Sequence, residues 1–300
     1  RGAENFRRSG EVDALRIKKD NFYAHQVMWD GWVDVEKPRL HIIGHWNYTP
    51  EVKKDIFVIS SADKVELKVN GKSLGFGEQS NRFLYTFKNV QWQPGAISAV
   101  GYDAGGKPLC SDEIKTAGKP AALRLKAMTA PAGLKADGHD LALIEVEVVD
   151  AGGQRCPTAL DMVRFELDGP AEWRGGMAQG PDNYILSQNL PVECGVNRVL
   201  VRSRTQAGTI TLKAAADGLK GASLTLTSKA FPVTGGLTTV LPSAGLPSQL
   251  KRGPTPLTPS FKVSRNAIGI VRATAGANAD SAFASIDDNE LSDWYNDGNL

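Results

Sequence analysis

The segment 65–75 constrains the fold of this chain more than any other stretch of its sequence. Apolar and charged side chains alternate over residues 65–69, which is the pattern of a strand with one buried face. Asn70-Gly71 follows, and this pair tolerates the positive φ angles of a two-residue type I′ turn. Leu74 and Phe76 then resume the alternation. The segment therefore predicts a β-hairpin with a charged, solvated face.

Similar short runs fill most of the chain and predict a mainly β fold. Turn sequences rich in Gly, Pro, Asp and Ser separate them, and this spacing is typical of sandwiches or barrels. The sequence Asp-Ala-Gly-Gly occurs at 103–106 and again at 150–153, which we interpret as one turn chemistry used twice. The predicted strands are 40–43, 55–59, 65–69, 83–87, 96–102, 140–150, 163–167, 197–203 and 208–212.

The first residues differ from the rest because they predict a helix. Asp20 is a favourable N-cap, residues 21–29 have a helical pattern, and Gly31 is a favourable stop signal. We expect this helix to have no packing partner in the chain and to end a domain whose remainder lies before Arg1. The sequence would then be a piece of a longer polypeptide.

Three hundred residues, of which 41% are hydrophobic, suffice for about two packed domains. Residues 231–259 hold six of the sixteen prolines, a composition that favours an extended linker. The predicted parts are the end of a preceding domain over 1–34, a β-sandwich over 35–117, a second β-sandwich over 118–230, a Pro/Gly-rich linker over 231–262 and the start of a further domain over 263–300.

Composition argues against several kinds of partner. Lys and Arg number 35 and Asp and Glu 33, so the net charge of +2 gives no reason to expect nucleic acid or an anionic membrane. No run approaches the roughly 18 apolar residues of a membrane-spanning helix. Cys110, Cys156 and Cys194 lack metal-ligand spacing, so we expect buried free thiols. A Cys156–Cys194 disulfide is the alternative if the protein is exported.

The histidines and tryptophans supply few candidates for a site. His41 and His45 are four residues apart in a predicted strand, where two rings do not converge on one metal ion. The pair His45-Trp46 is expected to pack against the preceding domain. Three tryptophans could stack on sugar rings, with core or interface packing as the favoured alternative. They are Trp32, Trp92 and Trp173.

Taken together, these segments resemble a known family. Residues 45–75 resemble the β-sandwich that follows the catalytic barrel in bacterial glycoside hydrolase family 2 enzymes, mostly β-galactosidases. Residues 131–150 and 190–197 resemble the next, immunoglobulin-like module of these enzymes, and 284–294 resemble the opening of a discoidin-like, galactose-binding-type domain. The resemblance implies tandem β-sandwich domains, the second immunoglobulin-like, after a short helical remnant of a (β/α)8 barrel.

The resemblance implies that glycoside hydrolysis takes place outside this chain. The family carries two Glu on its barrel, and in a retaining mechanism one is the acid/base and the other the nucleophile. Glu4 and Glu11 are the only Glu in residues 1–34, and neither lies in the family's Asn-Glu motif. We therefore expect no catalytic residue in this chain.

Phe6 and Ser9 are the candidate substrate-binding residues. The run 6–10 resembles the Phe-x-x-Asn-Gly turn at the top of the last barrel strand in some β-galactosidases. In that family the Phe carbonyl and the Asn side chain help to bind a sodium ion and sugar hydroxyls. Ser9 stands where the family has Asn and lacks its amide, so packing of this loop against the barrel rim is the alternative.

No cofactor is expected to be required, and a structural Na⁺ or Ca²⁺ is a candidate. Discoidin-like modules often carry Ca²⁺ near their start, and this ion prefers oxygen ligands. The residues of that kind in the resembling segment are Asp287, Asp288, Asn289 and Asp293.

Two functions remain open from the sequence. The first is an accessory region of a retaining family 2 hydrolase acting on β-galactosides, which supports the upstream catalytic barrel, borders the sugar pocket or forms a homodimer contact. The second is a non-catalytic carbohydrate-binding or adhesion protein built of sandwich modules. Residues 1–34 favour the first, because a tandem sandwich needs no such helix. The expected partners are the β-galactoside and the barrel, without nucleic acid or membrane, in a periplasmic or secreted location.

Overall fold

The computed structural model describes residues 10–33, 37–176, 184, 186–232, 270–287, 292 and 294. The chain divides into two compact units, residues 1–260 and 261–300. The described part of the second unit contains a 3₁₀ helix, Ala279–Ser285, and the Trp294 Nε1–H donates to the Ala277 carbonyl at 3.1 Å. The first unit contains one described α-helix followed by β-strands.

The strands nearer the N-terminus form a sandwich of two antiparallel sheets. One sheet has the order β1-β2-β6-β5 and the other β4-β3-β7-β8. The described strands of this first sandwich are β1 (Leu40–Ile42), β2 (Lys53–Ser60), β3 (Lys64–Val69), β4 (Lys72–Phe76), β5 (Glu78–Ser80), β6 (Leu84–Gln91), β7 (Ala96–Tyr102) and β8 (Pro108–Lys115).

The following strands form a second sandwich. Its sheets have the orders β10-β17-β16-β12-β14 and β13-β15-β11-β9, and β10 pairs with β17 in parallel. The described strands are β9 (Ala122–Met128), β10 (Leu134–Ala136), β11 (Leu141–Val149), β12 (Met162–Asp168), β13 (Ala171–Gly176), β14 (Asn189–Pro191), β15 (Val196–Ser203), β16 (Gly208–Ala215) and β17 (Ala222–Ala230). The predicted fold class, tandem β-sandwiches, is confirmed.

Alternation of side chains builds each core. Val65, Leu67 and Val69 of β3 are buried, while Glu66 and Lys68 between them face outward. In β11, alternate residues from Ala142 to Val148 are buried in the same way in the second core. Because side chains of a strand point to opposite faces in turn, such a pattern buries one face of each sheet against its partner sheet.

The predicted hairpin is confirmed. Asn70 and Gly71 adopt φ angles of 50° and 79° between β3 and β4, as a type I′ turn requires. The two Asp-Ala-Gly-Gly turns also share one geometry. The Asp103 Oδ1 accepts from the Lys107 amide at 2.8 Å, and the Asp150 Oδ1 accepts from the Gln154 amide at 2.9 Å. Both turns therefore use the same aspartate-to-backbone bond.

The helix corrects three expectations. Helix α1 covers Asp20–Trp32, with Lys19 at the N-cap position, so Asp20 is its first residue and Gly31 lies inside it. The helix also has a packing partner, because Val27, Asp30 and Gly31 are buried and Asp30 forms an ion pair with Arg39. A Cβ on Gly31 would lie 2.5 Å from Phe83 Cε1 and 3.1 Å from Ser61 Cβ. Gly31 therefore permits close packing of the helix on the first sandwich.

The cysteines and the helices bear on two further expectations. All three cysteines are free thiols, with Cys156 buried and Cys110 partly buried. Cys194 is exposed, so the expectation that all three are buried is wrong for this residue. It lies with Gly195 in a turn of positive φ at the start of β15.

In the part of the chain that the structure describes, no helix has the length and apolar character to cross a membrane.

The two sandwiches are joined through a short clasp. The Asn47 Nδ2–H donates to the Ala117 carbonyl at 2.9 Å, and the Ala117 amide donates to Asn47 Oδ1 at 3.0 Å. Next to it, the Thr116 hydroxyl donates to the Trp46 carbonyl at 2.8 Å. Trp46 belongs to the first core and Ala117 to the second, so this clasp fixes the point at which the chain passes between them.

We expect Gly31→Ala to lower the free energy of unfolding. Overpacking costs about 1–3 kcal/mol, more than the roughly 1 kcal/mol that Ala gains over Gly inside a helix. Urea unfolding measures the change, and Phe83→Leu supplies the partner variant for a double-mutant cycle. The cost of Gly31→Ala should shrink in the Phe83→Leu background. A stabilised Gly31→Ala protein would contradict the close packing.

We expect Asn47→Ala to destabilise the chain by about 1–3 kcal/mol, because it leaves two backbone groups of Ala117 unpaired. Hydrogen exchange of the Ala117 amide is the local readout and should accelerate. Asn70→Ala is the matched control, because Asn70 makes the same pair of bonds to the Pro94 carbonyl and the Ala96 amide within the first sandwich. The clasp would be refuted if hydrogen exchange of the Ala117 amide accelerated in the Asn70→Ala control, or if it did not accelerate in Asn47→Ala.

Candidate functional site

The residues predicted to bind substrate fall outside the described part of the structure. Phe6, Ser9 and Glu4 precede residue 10, and three of the four candidate Ca²⁺ ligands (Asp288, Asn289 and Asp293) are likewise not described. Asp287 is described, and its Oδ2 accepts from the Ser292 hydroxyl at 2.6 Å. Within the described ranges no group of three or more His, Cys, Asp or Glu is placed to hold a metal ion. The sodium and calcium sites remain predictions.

Glu11 is on the surface beside helix α1. Its Oε1 lies 2.6 Å from His25 Nδ1, and both side chains are about half exposed. The turn that follows is held by Asp13, whose Oδ1 accepts from the amides of Leu15 and Ile17 at 2.8 Å each. The Glu11 carboxylate therefore contacts a histidine of helix α1 on the surface.

A cleft of about 490 Å³ lies where the N-terminal turn meets both sandwiches. We call it the junction cleft. Its lining combines basic, acidic and imidazole side chains from the N-terminal turn with helix α1, from the first sandwich and from the second sandwich. The titratable residues that line it are Lys18, Asp20, Tyr23, His41, His45, Asp112, Glu113, Lys115, Glu145, Arg155 and Arg198.

His41 organises one wall of the junction cleft. Its Nε2 lies 2.8 Å from Asp20 Oδ1, and its Nδ1 lies 3.7 Å from Asp112 Oδ2. The Tyr23 ring stacks on the imidazole with 4.4 Å between ring centroids. Asp112 also accepts from the Ile42 amide at 3.0 Å. Helix α1, β1 and β8 therefore meet at this histidine.

His45 also lines the junction cleft and accepts a backbone hydrogen bond. Its Nδ1 accepts from the Asn47 amide at 3.1 Å, and its ring stacks on Tyr48. Burial, together with the positive charge of Lys54, lowers the pKa of His45 below its ordinary value. A neutral imidazole is the form that can accept from Asn47, so the pKa shift and the geometry agree.

Arg198 forms the opposite wall on the second sandwich. Its Nε and Nη2 donate to Glu145 Oε2 at 2.9 and 2.6 Å, and its Nη1 donates to the Leu15 carbonyl at 3.0 Å. This guanidinium thus connects the N-terminal turn to β11 and β15. The junction cleft contains paired acids whose oxygens already accept hydrogen bonds. Its geometry suits the joining of three structural parts better than proton transfer to a substrate.

A second concavity of about 620 Å³ lies on the first sandwich, between β4 and β6. We call it the edge groove. It exists because β5 pairs with β6 only over residues 84–86, which leaves the end of β6 without a neighbour on that side among the described strands. Its lining residues are Lys53, Val69, Lys72, Leu74, Phe76, Glu78, Thr86, Phe87, Lys88, Asn89, Val90, Gln91 and Gln93.

The candidate tryptophans are divided between core and surface. Trp92 is in the first core, and Trp173 packs on Phe165 in the second, so the packing alternative describes both. Trp32 is 42% exposed on helix α1, and its ring forms a T-shaped contact with Phe83. Trp46 is 1% exposed in the first core, which corrects the expectation that it packs against a preceding domain.

The sequence reasoning missed both concavities. Leu74 and Phe76 were the available signal for the edge groove. They are two apolar residues that follow the turn, on the same strand as the charged Lys72. Phe76 is 63% exposed, so the resumed alternation does not bury this side chain. The junction cleft had no local signal, because Asp20, His41 and Asp112 come together only through tertiary packing.

Comparison with known proteins relates both sandwiches to one family. The model of glycoside hydrolase family 2 C-terminal domain 5 matches residues 125–225, and the model of a domain of unknown function, DUF4982, matches residues 51–110. A β-glucuronidase of Formosa agariphila is 45% identical over 238 residues, 79% of this chain and 24% of that protein. The β-galactosidase BoGH2A of Bacteroides ovatus is 32% identical over 228 residues, 73% of this chain and 25% of that protein.

A solved structure agrees with the sequence relatives. A β-glucuronidase from glycoside hydrolase family 2 superimposes with a TM-score of 0.76 at 42% identity, covering 85% of this chain and 26% of that one. The chain thus spans about a quarter of the length of the relatives it matches. It belongs to glycoside hydrolase family 2 and corresponds to the C-terminal region of that family.

Proposed function

We propose that this chain is the accessory region of a retaining β-glycoside hydrolase whose catalytic Glu pair lies upstream on a (β/α)8 barrel. Residues 1–34 would be the end of that barrel, and the sandwiches would support it. The observation that carries the proposal is the 45% identity to a β-glucuronidase across 238 residues of this chain.

The chemistry of the described acids supports this division of labour. A retaining mechanism needs two carboxyl groups about 5–5.5 Å apart, one of them a proton donor to the leaving group. In the junction cleft the Asp20 carboxylate instead contacts His41, and the Glu145 carboxylate contacts Arg198. The Asp112 carboxylate accepts a hydrogen bond from the Ile42 amide. Their role in the proposal is to hold the N-terminal turn and helix α1 against the sandwiches.

The substrate is proposed as a β-linked sugar, with two candidates. The relative at 45% identity is a β-glucuronidase, which favours a β-glucuronide. The relative at 32% identity is a β-galactosidase, which keeps the β-galactoside predicted from the resemblance as the second candidate. A homodimer contact, a periplasmic or secreted location and a structural Na⁺ or Ca²⁺ belong to the same proposal.

We expect the chain alone to leave nitrophenyl β-glucuronide and nitrophenyl β-galactoside unhydrolysed, because the proposal puts both catalytic carboxyl groups elsewhere. A longer polypeptide that joins this chain to an upstream barrel should hydrolyse one of them, the glucuronide in preference. Release of nitrophenol is the measurement. Turnover by the chain alone that survives Phe6→Ala and Ser9→Ala would contradict the proposal, and Glu11→Gln then tests the remaining acid of the N-terminal turn.

A further inference from the structure

We propose that the edge groove of the first sandwich binds an anionic oligosaccharide, as a subsite for the more distant sugars of a polymeric substrate. The inference rests on the proposed function, because it assigns the groove to the same glycoside substrate. The open strand edges of the groove, its charge and its exposed apolar residues support this assignment.

The groove lies between two open strand edges. Strand β4 pairs with β3 and forms the edge of its sheet. In the facing sheet, β5 begins at Glu78, which pairs with Thr86, so residues 87–91 of β6 have β2 as their described neighbour on one side alone. A concavity of about 620 Å³ results, large enough for part of an oligosaccharide.

The same edges are unsuited to an added peptide strand. Strand β6 is interrupted by a bulge opposite Lys54 and Ile56, where Asn89 has a φ of 56° and its amide donates to Asp55 Oδ1 at 2.8 Å. Strand β4 has a register irregularity of its own. Bulges and edge lysines such as Lys72 are devices that oppose strand addition. The groove therefore favours a ligand that is recognised by side chains.

The charge of the groove selects an anion. Three lysines and one glutamate line it, and Lys88 pairs with that Glu78 at 2.8 Å. Lys53 and Lys72 have no carboxylate partner among the residues that the structure describes. Two unpaired ammonium groups in one concavity attract and orient a carboxylate-bearing ligand. Uronic acid residues of a glycan carry such carboxylates.

The apolar side chains supply the surface on which a sugar ring can lie. Leu74 is 45% exposed and Phe76 is 63% exposed, both on β4 at the rim of the groove. Large apolar side chains exposed side by side with polar ones are typical of binding surfaces. An exposed aromatic face can pack against the C–H groups of a pyranose while the lysines hold its carboxylate.

Calorimetric titration of the 300-residue chain tests the proposal with two matched probes. These are the tetrasaccharide of β-1,4-linked glucuronic acid and cellotetraose, which differ in the carboxylates alone. The acidic tetrasaccharide should bind, and cellotetraose should bind at least about tenfold more weakly, as expected for two exposed ion pairs. No binding of the acidic probe, or equal binding of both, overturns the proposal.

Variants connect the binding to the groove. The double variant Lys53→Gln/Lys72→Gln should weaken binding of the acidic probe about tenfold. The control Lys64→Gln/Lys107→Gln removes the same charge outside the groove lining and should leave that binding unchanged. Phe76→Ala should weaken both probes, and Leu160→Ala, which truncates an exposed apolar residue of the second sandwich, should weaken neither. Thermal melting establishes that each variant is folded, and the single lysine variants replace any that is not. Equal effects of groove and control variants overturn the proposal.

The outcome is separable from that of the proposed function. Binding to the groove requires no turnover, and nitrophenyl glycosides are too small to occupy both it and a catalytic pocket. If a longer polypeptide hydrolyses the nitrophenyl glycosides but the chain does not bind the acidic tetrasaccharide, the proposed function stands and the subsite is refuted.

Discussion

The clasp between Asn47 and Ala117 is the interaction on which the arrangement of the two sandwiches depends. It comes directly after Trp46, a first-core residue whose indole Nε1–H donates to the Gln93 carbonyl at 2.9 Å. On the other side, the Gly118 amide donates to Asp150 Oδ2 at 2.7 Å, and this bond is the main reason why the pKa of Asp150 is lowered. The chain is thus held at consecutive residues as it leaves one core and enters the next.

Local patterns were enough to predict most of the strands. The hairpin at Asn70-Gly71 and the alternation in β3 and β11 depend on neighbours in sequence, and they occur where the sequence predicted them. Gly31 shows where local reasoning ends. It has the residue type of a helix stop, yet its place inside helix α1 is determined by Phe83, fifty-two residues away in sequence. The prediction for Trp46 was wrong for the same reason, because its hydrogen-bond partners Trp92 and Gln93 lie more than forty residues away, between β6 and β7.

The two concavities depend on distances that a single sequence does not contain. His41 meets Asp20 and Asp112 only after helix α1, β1 and β8 have packed together. The edge groove depends on where β5 begins, because Glu78 pairs with Thr86 and residues 87–91 of β6 lie beyond that pair. Phe6 and Ser9 lie outside the described residues, so their part in substrate binding stays a prediction. The family relation carries the functional argument, and the geometry of the described acids is consistent with a supporting role.

The central claim is that this chain supports a hydrolase whose chemistry takes place on an upstream barrel. A mechanism-based fluoroglycoside tests it most directly, because in a retaining enzyme it leaves a covalent glycosyl group on the nucleophile. The measurement is peptide mapping by mass spectrometry of a longer, active polypeptide that contains this chain. The account predicts the label on a Glu upstream of Arg1 and none on residues 1–300. A label on Glu11, or on any acid of the junction cleft, would contradict it.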